Sequence, residues 1–259
     1  MNHLLLGAAD KTDRLLEITK PRFLLIDDGP VADSFLERIS KARLFDPLVQ
    51  SFNPLDGMDY RRARDFADIL YAASPGGRDT LTVRNGRRAL VRLLLAGPSR
   101  LSDMPEPSAV KDDAEKEALG MVEELLMSPV LSRVLCNDGA PFRFGEGTTV
   151  AKLDRATLGD FDAFILGALL IGHHKGQVVL PDGGFYARDL HMSLIRQDRL
   201  TIGCNLLSEL PQKVRQAALL FEHKTAHHAL YEDAELLARY AGLMHGTNAF
   251  GEFVRQAVL

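Results

Sequence analysis

The stretch Leu4-Leu5-Leu6-Gly7-Ala8-Ala9-Asp10-Lys11-Thr12, close to the start of the chain, predicts a short strand that leads into a helix. Three consecutive leucines are typical of a strand buried on both faces of a parallel sheet. Asp10 belongs to the residue types that cap helix N-termini well. We therefore predict a strand over residues 3–7 and a helix over residues 10–18.

The same alternation of apolar strands and helical patterns continues along most of the chain. Further strands are predicted at residues 23–27, 48–52, 148–153, 177–180, 200–204 and 217–222. This pattern predicts an α/β fold with a mostly parallel sheet covered by helices on both faces. In such sheets the ligand binds at the carboxyl ends of the strands. The residues predicted to lie there are 7–12, 27–29, Asn53, Asp182 and Asn205.

A run of helices interrupts this alternation in the middle of the chain. The spacing of apolar residues predicts helices over residues 81–96, 110–127 and 129–136. Residues 97–107 contain Pro98, Pro105 and Pro107 and are predicted to form a loop or linker. We expect one α/β domain over residues 1–259, with a helical insert roughly at residues 81–136.

The composition excludes several classes of protein. A net charge of −4 argues against binding to polyanions through bulk charge alone. There is no run of about 18 apolar residues, so we expect no transmembrane helix, and the first residues lack the features of a signal peptide. Cys136 and Cys204 are expected to be buried thiols in a reducing compartment. We therefore expect a cytoplasmic protein without membrane insertion.

Charge is distributed unevenly along the chain. Arginines cluster in residues 60–64 and 78–100, and residues 103–124 are mostly acidic. Such an asymmetry indicates a nucleic-acid face or a contact between subunits, because arginine pairs well with phosphates and carboxylates. The alternative is a set of solvated helices that form their own ion pairs.

Residues 7–12 are similar to a phosphate-binding loop, G-x-x-x-x-G-K-S/T. In that motif backbone N–H groups surround the phosphates, the lysine reaches the terminal phosphates and the hydroxyl holds Mg²⁺. Lys11 and Thr12 match the end of the motif, but Asp10 replaces the second glycine and the loop from Gly7 is two residues short. The alternative is that Asp10 caps a surface helix and Lys11 is simply exposed.

Several further segments, taken in order, resemble the HerA/FtsK class of P-loop ATPases, which includes DNA translocases, conjugation coupling proteins and viral DNA-packaging ATPases. Nearly the whole chain is covered. The matching segments are Phe23-Leu24-Leu25-Ile26-Asp27-Asp28-Gly29, Ser51-Phe52-Asn53-Pro54-Leu55-Asp56, Thr149-Val150-Ala151-Lys152-Leu153-Asp154, residues 177–182, Leu194-Ile195-Arg196-Gln197-Asp198-Arg199 with the strand after it, residues 221–225, and Glu232-Asp233-Ala234. The resemblance implies a RecA-like P-loop fold.

The resemblance also implies roles for individual residues. Gly7, Lys11 and Thr12 stand at the nucleotide-binding position, with ATP and Mg²⁺ as the implied ligands. Asp182 stands at the magnesium (Walker B) position, and Asn205 at the sensor position. Arg196 and Arg199 are candidate arginine fingers that act on a neighbouring subunit. The residues themselves are equally consistent with ion pairs between these arginines and Asp189 or Asp198.

The departures from the family pattern affect the chemistry. Walker B needs a glutamate after its aspartate to polarise the attacking water, and here Gly183 follows Asp182. With the phosphate loop also altered, we predict no catalytic residue. Five histidines occur in short groups at residues 173–174, 223 and 227–228. Because adjacent histidines point in different directions, we expect no metal site and solvent-exposed or interface histidines.

Three functional interpretations remain open. The first is a catalytically eroded ATPase-like protein that acts as an assembly scaffold or DNA-associated accessory, of a virus or mobile element, with itself, another protein or DNA as partner. The second is an active ATP-dependent DNA translocase or packaging ATPase with unusual motifs, which needs a base such as Glu209 or Asp28. The third is a regulator that binds nucleotide without hydrolysing it.

Overall fold

The computed structural model describes residues 2–7, 11–18, 22–73, 80–136, 139–187, 192–226 and 228–259. The strands are β1 (His3–Leu6), β2 (Phe23–Asp27), β3 (Arg43–Phe45), β4 (Gln50–Ser51), β5 (Ala140–Pro141), β6 (Thr149–Lys152), β7 (Gln177–Leu180), β8 (Leu200–Cys204) and β9 (His223–Ala226). The helices are α1 (Lys11–Ile18), α2 (Pro30–Arg38), α3 (Tyr60–Ala73), α4 (Leu81–Leu95), α5 (Asp113–Leu126), α6 (Pro129–Leu135), α7 (Arg155–Leu158), α8 (Asp160–His173), α9 (Gly183–Tyr186), α10 (Met192–Arg196), α11 (Gln212–Ala218), α12 (Tyr231–Tyr240) and α13 (Asn248–Val258).

The chain divides into two compact units. The first contains Met1–Leu44, Glu146–Ala151 and Lys175–Leu259, and the second contains Phe45–Gly145 and Lys152–His174. No helix among the described residues is long and apolar enough to cross a membrane.

A seven-stranded sheet with the order β3-β6-β2-β7-β8-β1-β9 organises the first unit. The pairs β2–β7, β7–β8, β8–β1 and β1–β9 are all parallel. Strands β2 and β8 are buried along their whole length because helices lie on their faces. The prediction of an α/β fold with a mostly parallel sheet is therefore confirmed.

Two apolar clusters stabilise the first unit. One joins β1, β2, β6 and β7 to helices α1 and α2, with Leu15 and Phe35 completely buried and Phe35 packed edge-to-face on Phe23. The other joins α12 and α13 through Ala234, Ala238, Phe250, Val254 and Ala257. Burial at this helical spacing is what the apolar periodicity of these segments predicts.

The second unit is mainly helical. Helix α4 packs against both α3 and α5, and α3 packs against α8. The helices observed over Leu81–Leu95, Asp113–Leu126 and Pro129–Leu135 agree closely with the predicted spans. The proline-containing segment 97–107 is a loop with a short 3₁₀ helix, Leu101–Asp103, and lies inside this unit. The boundaries of the insert, residues 81–136, stay a prediction.

One predicted strand, over residues 217–222, is wrong. Ala217 and Ala218 end helix α11, in which Val214 and Ala218 are buried one turn apart, and Leu219 is its C-cap. Residues 220–222 follow the helix, and the strand β9 begins only at His223. A short apolar run does not distinguish a strand from the end of a buried helix. Strand β9 itself is polar because it lies at the edge of the sheet, and polar edge strands are common.

Candidate functional site

The carboxyl edge of the seven-stranded sheet aligns four of the residues that the sequence placed there. In the β2–β7 register Leu25 is level with Val179, so Asp27 and Pro181 end their strands side by side. In the β8–β1 register Leu6 is level with Cys204, so Gly7 lies next to Asn205. Neighbouring strands are about 4.8 Å apart. Gly7, Asp27, Asp182 and Asn205 therefore stand in one row, as the sequence predicted.

The β1–α1 connection is the segment where the nucleotide-binding residues were predicted. Gly7 has a φ of 110°, a conformation that favours glycine, and its N–H donates to the carbonyl oxygen of Cys204 at 3.0 Å. Lys11 and Thr12 are the first two residues of α1. Asp10, with its predicted capping role, lies outside the described residues.

The β2–α2 turn is closed by Asp27. This side chain is only 3% exposed, and its Oδ2 accepts hydrogen bonds from the N–H groups of Gly29, Val31 and Ala32, each at 3.0 Å. Burial raises the pKa of Asp27, the charge of Asp28 adds to this, and the three N–H donors oppose it. The carboxylate thus satisfies the N–H groups at the start of α2 that have no partner within the helix. Asp27 holds the turn and is not presented to a ligand.

The β7–α9 turn contains the predicted magnesium position. Asp182 is the N-cap of α9, and its Oδ1 accepts from the N–H of Phe185 at 3.2 Å. A methyl group added to Gly183 would overlap Cγ2 of Ile202 and lie 2.8 Å from the carbonyl oxygen of Gly203. Both contacts are with β8. Glycine is therefore required at residue 183 because β8 leaves no space for a side chain.

The segment after β8 brings a carboxylate to this edge. Oε2 of Glu209 accepts from the N–H of Asn205 at 2.9 Å, and a methyl group on Gly184 would lie 2.9 Å from Cβ of Glu209. Helix α12 holds the same segment, since the N–H of Leu207 donates to Oδ2 of Asp233 at 3.0 Å. Asn205 is exposed. Glu209 and Asp28 were the two alternative bases predicted for an active enzyme, and Glu209 lies beside Asn205.

The two candidate arginine fingers lie away from this row. The carbonyl oxygen of Arg199 accepts from the N–H of Val178 at 2.7 Å, which places Arg199 at the amino ends of β7 and β8. Its guanidinium donates to the carbonyl oxygen of Gly176 at 2.9 Å and to Oε1 of Gln197 at 3.0 Å. Arg196 ends α10 and is exposed. Neither arginine joins the carboxyl edge of its own chain, and Asp189 lies outside the described residues.

The Asn53 turn belongs to the second unit and not to the row. It follows β4, which pairs with β5 in a separate two-stranded sheet, so its predicted place at the carboxyl edge of the main sheet is wrong. Oδ1 of Asn53 accepts from the N–H of Leu55 at 3.0 Å, and its amide donates to the carbonyl oxygen of Ser99 at 3.1 Å. Asn53 stabilises a turn, as asparagine commonly does.

The predicted exposure of the histidines holds for only some of them. His223 is exposed, whereas His174 is buried and His173 is half-buried. The ring nitrogens of His173 lie 2.9 Å from the carbonyl oxygens of Leu169 and Pro54, and burial lowers its pKa. No group of three or more metal-ligating side chains occurs within the described ranges.

The arginine-rich helices form many ion pairs of their own. On α3, Arg61 and Arg64 lie 4.0 and 3.8 Å from Asp65 and Asp68. On α4, Arg87 lies 3.3 Å from Asp68, and Arg92 lies 3.7 Å from Glu115 of α5. Solvated, ion-paired helices thus describe much of this region, and exposed pairs of this kind contribute little to stability.

Sequence reasoning did not find the packing role of Gly183 and Gly184. The signal was available as two consecutive glycines directly after a buried strand, a pattern that permits close approach of another backbone. The sequence did not predict which residues the two glycines contact, because Ile202 and Glu209 are distant from them in the chain.

Comparison with known proteins adds evidence on the fold. No family model matches the chain, and no curated protein matches its sequence. VirB4 of Thermoanaerobacter pseudethanolicus is similar in structure, with a TM-score of 0.59 and 14% identity over 99% of this chain and 84% of that chain. The plasmid coupling protein TrwB, in complex with the non-hydrolysable ATP analogue ADPNP, is similar with a TM-score of 0.53 and 12% identity over 84% of this chain and 67% of that chain.

These similarities establish the fold. The chain shares the α/β architecture of these two proteins, a mostly parallel sheet flanked by helices, and the RecA-like fold that the resemblance implied is confirmed. Conjugation coupling proteins belong to the class that the sequence resembles, and a plasmid coupling protein is one of these two structures.

Proposed function

We propose that this chain is a catalytically eroded, P-loop-ATPase-like protein that acts as an assembly or DNA-associated accessory component of a virus or mobile element. The similarity to a plasmid coupling protein supports the setting. The fold provides the scaffold, but Asp10 replaces the second glycine of the phosphate loop and Gly183 replaces the glutamate of Walker B. In this proposal the chain is one domain that carries a helical insert at about residues 81–136, and it works in the cytoplasm or in a particle.

The observation that carries the proposal is the packing of Gly183. In the Walker B pattern that the sequence resembles, the carboxylate directly after the metal-binding aspartate polarises the attacking water. A side chain at residue 183 would collide with Ile202 and with the backbone of Gly203. The position that would carry the base is therefore occupied by the next strand, and more than a single substitution separates this chain from an ordinary Walker B motif.

The residues at the carboxyl edge do not fit a hydrolytic Mg²⁺–ATP site. Bound Mg²⁺ would supply charge stabilisation for a transferred phosphoryl group. Asp182, the residue at the metal position, caps α9 through Oδ1. Asp27, the other carboxylate that ends a strand in this row, accepts three backbone hydrogen bonds.

The first test measures ATP hydrolysis. We expect no Mg²⁺-dependent phosphate release above background from the wild-type chain, from Lys11→Ala or from Lys41→Ala, a control at an exposed lysine outside the row. Sustained release that Lys11→Ala abolishes and Lys41→Ala preserves would overturn the proposal.

Thermal unfolding with millimolar Mg²⁺–ATP then separates the scaffold from the nucleotide-binding regulator. A ligand at 100 times its Kd stabilises the folded state by about 2.7 kcal/mol. A rise in Tm that depends on Lys11, without hydrolysis, identifies a regulator that binds nucleotide. No rise identifies a scaffold that has lost both functions.

The second candidate function is an active DNA-translocating or packaging ATPase, and the position of Glu209 favours it. This carboxylate contacts Asn205 and lies against α9, at the same edge as Asp182. As a base from another segment it would replace the missing glutamate. Under this candidate Glu209→Gln eliminates DNA-stimulated hydrolysis while Tm stays close to that of the wild type. The same substitution has no effect on phosphate release under the main proposal.

A further inference from the structure

The second unit carries an apolar groove with an acidic rim. It has a volume of about 280 Å³ and lies between α5 and the proline-containing loop before it. Leu119, Val122 and Leu126 of α5 line it on one side, and Met104 and Pro105 line it on the other. Met127, at its end, is 77% exposed although it is a large apolar residue.

The rim gives the groove a strong negative charge. Glu106 and Glu123 line it directly. Over residues 101–127 the chain has eight carboxylates and two lysines. An apolar groove bordered by carboxylates fits an apolar segment that carries positive charge, because charge complementarity selects partners and fixes their register.

The same unit presents a surface of that chemistry on helix α4. Leu81, Arg88 and Leu95 follow one another at intervals of seven residues and so lie on one face of the helix. Leu81 is 72% exposed, Leu95 is 45% exposed and Arg88 is exposed. Arg84 and Arg92 flank this stripe, and residues 80–100 contain no carboxylate. Two leucines with arginines between them match the groove in both charge and apolarity.

We propose that the arginine–leucine stripe of α4 in one copy of the chain docks in the acidic groove along α5 of a second copy. The proposal deepens the assembly role put forward above by naming the partner and the surface. Each copy offers both complementary surfaces, so the contact needs no other protein. Exposed apolar side chains in such a patch are typical of interaction sites.

Charge reversal on each surface tests the contact. Arg88→Glu and Glu123→Arg replace exposed residues whose side chains form no hydrogen bond or ion pair with the described part of the chain, and Glu37→Arg on α2 is the matched control. Sedimentation of the wild type without nucleotide is expected to reveal concentration-dependent self-association. Either reversal should weaken it at least roughly tenfold, because like charges then face each other, and the control should not.

An equimolar mixture of Arg88→Glu and Glu123→Arg provides the decisive measurement. In the mixture each changed surface meets its complement, so association should return to near the wild-type level. A monomeric wild type, full association by both variants alone, or no recovery in the mixture would each overturn the proposal. Circular dichroism of each variant establishes that it is folded. Because no nucleotide is present, these outcomes are independent of the tests of ATP hydrolysis and binding.

Discussion

Two turns at the carboxyl edge of the sheet share one sequence pattern but use it differently. The first joins β2 to α2 as Asp27-Asp28-Gly29, and the second joins β7 to α9 as Asp182-Gly183-Gly184. In the first turn the aspartate is buried with three backbone partners and the glycine has no atom near its absent side chain. In the second the aspartate is partly exposed, and the glycine packs directly against β8.

The comparison separates two reasons for a glycine and two roles for an aspartate. Gly29 is required for its backbone conformation, with a φ of 157° and open space around it. Gly183 is required for space alone. The carboxylate of Asp27 accepts the N–H groups at the start of α2 that a bound anion would otherwise contact, whereas Asp182 is an ordinary N-cap. The pattern of an apolar strand followed by Asp and Gly is thus not by itself evidence of a metal site.

The largest effect is expected from Asp27→Ala. This change removes the acceptor of three N–H groups in a turn where Gly29 and Ala32 are buried. Buried donors without partners are costly, so we expect a loss of about 3–4 kcal/mol in the free energy of unfolding, measured by urea denaturation.

Asp27→Asn is the matched control for this prediction. The amide keeps an acceptor oxygen at the same place and removes the buried charge, so we expect a loss of about 1 kcal/mol or less. Equal losses for the alanine and asparagine variants would contradict the assigned role of Asp27.

The next effect compares the two glycines. Gly183→Ala places a methyl group against Ile202 and the backbone of Gly203, and overpacking of this kind costs about 2–3 kcal/mol. Gly29→Ala meets no atom within 4 Å and should cost about 1–2 kcal/mol through backbone strain alone. If Gly29→Ala proves the more damaging in thermal unfolding, the distinction between space and conformation is wrong.

A smaller effect is expected from Asp182→Ala. Loss of an N-cap costs about 1 kcal/mol, and the helix that Asp182 caps, α9, has only four residues. Asp182→Asn should be nearly neutral, because asparagine caps equally well. A loss from Asp182→Ala as large as that from Asp27→Ala, in parallel urea titrations, would mean that the two turns are alike after all.

The smallest effect is a pH dependence specific to the first turn. Burial raises the pKa of Asp27 in the folded chain above its usual value of 3.8. The stability from this group is therefore fully present below pH 3.8 and is lost as the pH rises through the folded-state pKa. We expect the free energy of unfolding of the wild type to increase relative to that of Asp27→Asn as the pH falls from 7 to 4. A difference that is constant across this range would contradict the raised pKa.

The fold was largely predictable because its elements carry strong local patterns. The leucine run of β1, the continuous apolar strand β2 and the period of α3 to α5 each indicate one type of element, and the structure agrees. The alignment of Gly7, Asp182 and Asn205 followed from the rule that parallel strands present their carboxyl ends together. The roles of Lys11, Thr12, Arg196 and Arg199 stay predictions.

The errors have a common cause in contacts between distant residues. Residues 217–222 have an apolar composition that suits either a strand or a helix end, and packing of α11 decided for the helix. Asn53 ends a strand, but pairing of β4 with β5 placed that strand in another sheet. His174 is polar in type yet buried, and Phe144 lies beside it at 5.5 Å between ring centroids. None of these partners adjoins its residue in the sequence.

The sequence by itself determined the order of strands and helices, the α/β class and the departures from the phosphate-loop and Walker B patterns. These properties depend on residue type and on spacing within one element. Only the tertiary structure decided that Asp27 accepts hydrogen bonds from three backbone N–H groups, that β8 fills the space beside Gly183, and that Glu209 lies at the carboxyl edge of the same sheet. Those facts depend on which strands are neighbours, and strand neighbours are chosen by the packing of the whole sheet.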